Sequence, residues 1–175
     1  MPNRLPRVLA AEYVEGVETL PIAELRSRRG ELQEVEVTIS YQRRLCQGRL
    51  DILVADLQRR AAGGSSDLQH LIDHLTPILA EGPRLSRGAL PPLLAPDFAE
   101  GDLCEELDAI IPAGTIGDLP DLTDAEVLQI GEQLRDLEKR LSTERRALHD
   151  QLSNFERELV RRYKSGELDV DSLLQ

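Results

Sequence analysis

The sequence predicts an all-α fold: an antiparallel two-helix coiled-coil hairpin with short accessory helices and a Pro/Gly-rich connector. Apolar residues recur every seven positions in two separate stretches, which is typical of a coiled-coil seam. Aromatic residues make up only 3% of the chain, and this suits helices packed along narrow seams better than a thick core. The second stretch also repeats the spacing of the first with an offset of 102 residues (138 − 36).

The beginning of the chain shows no clean hydrophobic period. Residues 1–20 contain two prolines and a glycine, so we expect an irregular N-terminal arm, followed by a single helical-hairpin domain over 21–175. Pro21 is suited to the first turn of a short helix over 22–29. Gly30 is expected to end or kink that helix.

The first long helix is predicted over about 31–62. One of its faces is a coiled-coil seam, formed by Leu32, Val35, Ile39, Cys46, Leu50, Leu53 and Leu57. A second apolar stripe contains Val37, Tyr41, Leu45 and Ile52, with Gly48 among them. Gly48 either lets another group approach the backbone closely or is simply tolerated at a cost of about 1 kcal/mol relative to Ala.

A break and a connector are expected after this helix. Glycines and serines over 63–66 end it, and an amphipathic helix over 68–79 is placed to cover the second apolar stripe. Prolines and glycines then recur over 81–120, which predicts a connector with at most short helices.

The second long helix is predicted over about 123–164. Thr123 and Glu126 form a capping-box pattern at its start. Its seam contains Ile130, Leu134, Leu137, Leu141, Leu148, Leu152, Phe155 and Leu159. Two equivalent helices joined by a long connector pack most simply as an antiparallel pair with a local pseudo-twofold axis.

A polar stripe accompanies the seam in both long helices. Its five residues follow one another at spacings of four, three, four and four, which places them in a stripe about 80° wide on a helix. The first copy consists of Glu36, Ser40, Arg43, Gln47 and Asp51, and the second of Glu138, Ser142, Arg145, His149 and Ser153. The stripes therefore predict two related half-sites.

These residue types suit a guanine nucleotide. An arginine fork can bind a phosphate or the O6/N7 edge of guanine, and a carboxylate can accept hydrogen bonds from guanine N–H groups. Serine, glutamine and histidine can donate to either a base or a phosphate. A pseudo-symmetric pair of stripes suits a ligand that is itself two-fold, with two guanines and two phosphates.

The pattern Glu-x3-Ser-x2-Arg-x3-Gln-x3-Asp, present on two helices, resembles that of the RsiG-type anti-sigma factors of actinobacteria. The resemblance implies an antiparallel helical hairpin that binds cyclic di-GMP as a pair of nucleotides between itself and a WhiG-type sigma factor. It further implies inhibition of that sigma factor and repression of sporulation genes. All ten stripe residues are the implied ligand-binding residues, with His149 replacing glutamine and Ser153 replacing aspartate in the second copy.

Several other functions are disfavoured by the sequence. The net charge of −11 argues against direct DNA binding, because such surfaces are basic. Two cysteines make no disulfide framework, and no leader or membrane-length apolar run is recognised, so we expect a cytoplasmic protein. No catalytic constellation recommends an enzyme. His70 and His74 alone are a weak metal pattern, and we predict no metal.

A structural function is the alternative to the anti-sigma role. The polar stripe would then be the charged flank of a coiled-coil dimerisation or scaffold protein, with pairs such as Arg43 with Gln47 along one helix and no nucleotide ligand.

Overall fold

The structure, a computed structural model, describes residues 4–62, 72–73, 76, 102–112, 119 and 121–166. This part of the chain is mainly helical and contains no strand. Its helices are α1 (Arg4–Leu9), α2 (Ile22–Ala61), α3 (Asp102–Ile110) and α4 (Asp124–Lys164). The all-α class is confirmed, whereas the coiled-coil hairpin and its Pro/Gly-rich connector stay predictions.

The described residues group into two compact units. Unit 1 lies within Met1–Ile39 and Thr143–Gln175, and unit 2 lies within Ser40–Ser142. In each unit, a stretch of α2 packs against a stretch of α4.

Unit 1 is built around the first part of α2 and the last part of α4. Arg26 donates to the Tyr163 hydroxyl at 2.9 Å, and Arg29 donates to Glu156 at 3.3 Å, so the two stretches run in opposite directions. The buried hydrophobic side chains described in this unit are Val8, Tyr13, Leu25, Leu32, Val35, Ile39, Leu148 and Phe155.

The N-terminal arm is more regular than the sequence predicts. It forms α1 and then a 3-10 turn at Ala11–Tyr13. Pro6 lies in the first turn of α1, where its missing N–H removes no intrahelical bond. The Tyr13 hydroxyl donates to Glu31 at 2.7 Å, and Arg7 makes an ion pair with the same carboxylate, so the arm is anchored to α2.

Helix α2 continues through Gly30, so the predicted end at this residue is wrong. A glycine in a helix interior costs about 1 kcal/mol relative to alanine. Leu25 and Leu32 are fully buried on either side of it, and burial of one such side chain contributes roughly 1.5–3 kcal/mol. Packing therefore outweighs local propensity, and the first long helix begins at Ile22 rather than near residue 31.

Unit 2 is built around the rest of α2, the first part of α4, and α3. Arg49 donates to the carbonyl of Leu107 at 2.9 Å and to that of Ile111, and it makes an ion pair with Asp108. These bonds attach the C-terminal end of α3 to α2. Further buried residues of the unit are Leu50, Leu53, Val54, Leu57, Leu119, Val127, Leu134, Leu137 and Leu141.

Cys46 belongs to the seam, as predicted. Its thiol donates to the carbonyl oxygen of Leu134 at 3.4 Å. Burial raises the pKa of Cys46 to about 12. The thiol therefore packs as a small hydrophobe and is not a reactive nucleophile.

The start of α4 confirms the predicted capping box. The backbone N–H of Thr123 donates to the Glu126 carboxylate at 2.8 Å, and the N–H of Glu126 donates back to the Thr123 hydroxyl at 3.4 Å. These bonds satisfy donors that the first helical turn leaves without partners.

Matching arginine contacts, which we term the end clamps, fix the segment that leads into each long helix. In unit 1, Arg162 donates to the carbonyls of Leu20 at 2.6 Å and Val17 at 3.3 Å. In unit 2, Arg60 donates to the carbonyls of Leu122 at 2.8 Å and Leu119. Each of these residues is matched by the offset of 102, so the internal repeat includes the entry segments as well as the helices.

Some sequence predictions concern residues outside the described part of the chain. They are the break over 63–66, His70, His74 and most of the connector over 81–120. Ile72, Asp73 and Thr76 of the predicted helix over 68–79 are described and helical. None of the described helices combines the length and the apolar composition needed to cross a bilayer.

Candidate ligand-binding clusters

The predicted polar stripes fall into two clusters, one in each unit. Helices α2 and α4 both contribute to each cluster, because every stripe passes from one unit into the other. The unit-1 cluster contains Glu36, Arg145, His149 and Ser153. The unit-2 cluster contains Ser40, Arg43, Gln47, Asp51, Glu138 and Ser142.

The carboxylate of Glu138 is the centre of the unit-2 cluster. Its Oε1 atom accepts hydrogen bonds from Arg43 Nε at 2.9 Å, Gln47 Nε2 at 3.3 Å and Ser142 Oγ at 3.0 Å. Arg43 Nε also lies 2.8 Å from Ser142 Oγ. The side chains of Arg43 and Glu138 are only 12% and 7% exposed, so this ion pair is largely buried, and further hydrogen bonds reach its carboxylate.

The other residues of the unit-2 cluster are placed differently. Ser40 is half-buried on the same helix face. Asp51 is exposed and makes no hydrogen bond or ion pair with the residues that the structure describes. Asp51 is therefore not part of the internal network around Glu138.

Glu36 is the centre of the unit-1 cluster. Its Oε1 atom accepts a hydrogen bond from Arg145 Nε at 3.2 Å and lies 3.1 Å from His149 Nε2. The side chains of Glu36, Arg145 and His149 are 15%, 40% and 49% exposed, so this cluster is more open than that of unit 2. The Ser153 hydroxyl donates to the backbone carbonyl of His149 at 2.9 Å.

Both clusters contain an ion pair between the arginine of one stripe and the glutamate of the other. In unit 2 the arginine of the first stripe binds the glutamate of the second stripe, and in unit 1 the arginine of the second stripe binds the glutamate of the first. Gln47 and His149 occupy matched positions, and each contacts the glutamate in its own cluster. The change from glutamine to histidine thus preserves the contact.

In both clusters the charge of the arginine is balanced by a glutamate, because each motif arginine is paired with one. The pairing in unit 2 uses only Nε of Arg43. The two terminal nitrogens of Arg43 make no hydrogen bond within the described part of the chain. They form an edge of the guanidinium that can bind a phosphate or a guanine while Glu138 holds the side chain in place.

The end clamps are a structural feature that the polar stripes did not predict. The pairs Arg59–Arg60 and Arg161–Arg162 occupy matched positions of the repeat, and an acid precedes each second arginine by four residues, at Asp56 and Glu158. That spacing is the signal for the ion pairs of the end clamps.

Metal binding finds no support in the described residues, because no group of three or more His, Cys, Asp or Glu is placed to hold an ion. The ligand chemistry available in the clusters is hydrogen bonding and charge pairing by arginine, carboxylate, hydroxyl, amide and imidazole groups.

Residues 11–79 match the protein family described as RsiG-like. Over residues 11–79, this match confirms the resemblance to RsiG-type chains that the polar stripe suggested. It includes the whole first stripe but not the second, so the relation of α4 to this family depends on the internal repeat. No curated protein matches the chain.

Proposed function

We propose that this RsiG-like chain is an anti-sigma factor that binds and inhibits a WhiG-type sigma factor in a complex bridged by cyclic di-GMP. Sporulation and differentiation genes would be repressed as long as the complex persists. The family match supports the anti-sigma role at the level of the family. The reciprocal glutamate–arginine pairs, Arg43 with Glu138 and Arg145 with Glu36, are the observation that carries the nucleotide-binding part of the proposal.

The pairs support nucleotide binding because they orient hydrogen-bonding groups before a ligand arrives. Arg43 is fixed through Nε, so its terminal nitrogens are available as a planar fork for a phosphate or for the O6/N7 edge of guanine. Gln47 and Ser142 are held on the same glutamate oxygen. Less side-chain freedom is then lost on binding than in a flexible site.

The exposed acid at the end of the first stripe has a separate role in this proposal. Asp51 is free to accept hydrogen bonds from guanine N–H groups because it is exposed and outside the Glu138 network. Ser153, its counterpart, is a hydroxyl that already donates to a backbone carbonyl. The unit-2 cluster should accordingly contribute more to guanine recognition than the unit-1 cluster.

Calorimetry and pull-down with a purified WhiG-type sigma factor test the proposal. The chain should capture the sigma factor when cyclic di-GMP is present and much less without it. Replacement of both motif arginines, Arg43→Ala with Arg145→Ala, should abolish the nucleotide effect. The helical fold of the variant should be checked by circular dichroism, because the Arg43 pair is buried. Capture that is equal with and without the nucleotide would contradict the bridging proposal.

One observation favours the alternative of a structural coiled coil without a ligand. The Arg43–Glu138 pair is largely buried and its carboxylate accepts a further hydrogen bond from Ser142, as in a pair that only joins two helices. That alternative predicts that Asp51→Asn leaves every interaction of the protein intact, because this exposed carboxylate supports no contact among the described residues. Loss of the nucleotide effect in a folded Asp51→Asn variant would exclude it.

A further inference from the structure

Two arginines that lie outside the five-residue motif differ from the other arginines that the structure describes. Arg44 and Arg146 are exposed, and each immediately follows a motif arginine. Every other described arginine makes a hydrogen bond or an ion pair with a described residue, whereas these two make none. They occupy matched positions of the internal repeat (146 − 44 = 102), so the same exception occurs once in each unit.

Their helix positions place both arginines beside the polar stripes. Arg44 follows Ser40 by four residues and precedes Gln47 by three, and helix positions with these spacings are surface neighbours, with about 5–6 Å between Cβ atoms. Arg146 has the same spacing from Ser142 and His149. Each side chain therefore borders its own cluster on the exposed side of the helix.

The charge balance of the clusters indicates that an anionic ligand needs cations other than the motif arginines. Glu138 neutralises Arg43, and Glu36 neutralises Arg145. Asp51 adds a further negative charge to the unit-2 cluster. Without other cations, the motif residues of the two clusters would present no net positive charge to an anionic ligand, in a chain whose net charge is already −11.

We infer that Arg44 and Arg146 bind the phosphodiester groups of the nucleotide, one at each cluster. This inference rests on the proposed function, because cyclic di-GMP supplies the phosphates. The motif residues then hold and recognise the guanine bases, and the two outer arginines supply the unpaired positive charge. An arginine fork suits a phosphodiester because two N–H groups can bind two phosphate oxygens at once.

A double variant, Arg44→Gln with Arg146→Gln, tests the inference in the full chain with the sigma factor present. The matched control is Arg4→Gln with Arg140→Gln, which removes the same charge, one arginine from each unit. Both control arginines are exposed and paired with exposed glutamates, Glu34 and Glu106, so their loss should change little. Sigma-factor binding is measured as a function of cyclic di-GMP concentration.

Replacement of either Arg44 or Arg146 should raise the half-saturating nucleotide concentration about tenfold, as expected for the loss of one charged hydrogen bond. Saturating nucleotide should restore wild-type affinity for the sigma factor. The salt dependence of nucleotide binding should also be weaker in the double variant than in the control, because fewer charge contacts remain to be screened.

Two results would overturn the inference. One is a nucleotide response in the double variant equal to that of the control. The other is a sigma-factor affinity that stays weak at saturating nucleotide, which would assign the arginines to an acidic surface of the partner instead. If the wild-type chain does not respond to cyclic di-GMP at all, the proposed function itself has failed, so the two failures are distinguishable.

Discussion

Glu138 shows how one side chain can serve both the fold and the candidate site. It is buried between α2 and α4, and three donors share its Oε1 atom. A buried carboxylate without such partners would cost several kcal/mol, whereas a fully bonded one is tolerated. The network therefore stabilises the helix pair and at the same time presents Arg43 in one fixed orientation.

Glu158 is a second buried acid, and its protonation should couple stability to pH. Hydrogen bonds from Arg161, together with those from Arg162 and against the effect of burial, lower the pKa of Glu158 to about 2. The depressed pKa stabilises the folded state above the unfolded value near 4.5, and this contribution is lost as the pH falls toward about 2. Glu158→Gln should cost about 2 kcal/mol at pH 7 and less at pH 3, where part of the contribution has been lost. Urea unfolding at the two pH values measures the difference.

The control for Glu158 is Glu156→Gln on the same helix. Glu156 is exposed and pairs with Arg29 at 3.3 Å, so its replacement should change the free energy of unfolding by under about 1 kcal/mol at either pH. An equal loss in the two variants at pH 7 would show that Glu158 has no special role.

At the scale of an element, the two adjacent arginines at the end of each long helix should contribute unequally to stability, because only the second of them forms the end clamp. Arg162 is 10% exposed and donates to backbone carbonyls that precede α2, whereas its neighbour Arg161 is 52% exposed and makes an ion pair with Glu158. Arg162→Ala leaves partly buried carbonyls without this donor and should cost about 2–3 kcal/mol of unfolding free energy. Thermal or urea unfolding of the purified variant measures this cost.

The neighbouring arginine is the matched control for the clamp. Arg161→Ala should cost less than Arg162→Ala, because the Arg161 side chain is exposed and Glu158 keeps its hydrogen bond from Arg162. The same ranking is expected in unit 2, where Arg60 donates to carbonyls and Arg59 is exposed. If each neighbour costs as much as its clamp arginine, the backbone contacts are not what stabilises these ends.

The elements also show what the sequence could and could not predict. The seven-residue spacing correctly identified buried positions such as Ile39 and Leu134, because a helix face that packs against another helix must stay apolar. The capping box was predictable since it is local in sequence. Gly30 was misjudged because tertiary packing overrides the weak propensity of one residue. Helix α1 was missed because a six-residue helix is too short to show a period.

The candidate site was predictable as positions but not as contacts. Helical spacing alone aligned Glu36 with Arg43 on one face, yet each of them binds a residue of the other long helix. Which residues meet across two helices depends on their register, which no spacing within one helix encodes. The internal repeat was the one signal that implied a reciprocal arrangement, and it did so without identifying the pairs.

At the scale of the whole molecule, the proposed function makes the ligand and the partner depend on each other. The clusters contain neutralised glutamate–arginine pairs, so neither offers a strong attraction for a dianion by itself. A nucleotide bound between this chain and a sigma factor gains contacts from both proteins. Linkage then requires that each ligand increase the affinity of the other by the same factor.

We therefore expect one coupling factor in two independent titrations. Saturating cyclic di-GMP should increase the affinity for the sigma factor by the same factor by which the sigma factor increases the affinity for the nucleotide. Coupling free energies of about 1–3 kcal/mol correspond to factors of roughly 5–150. Calorimetry of each ligand, with and without the other, gives both factors. Asp51→Asn should reduce both factors by the same amount, because it removes the proposed acceptor for guanine N–H groups. The fold should persist, since this carboxylate is exposed and lies outside the Glu138 network that holds the helices. Unequal factors in the wild-type chain would mean that a further equilibrium, such as self-association of one protein, accompanies binding. Equal factors of one would contradict bridging, because the nucleotide would then bind equally well with and without the partner.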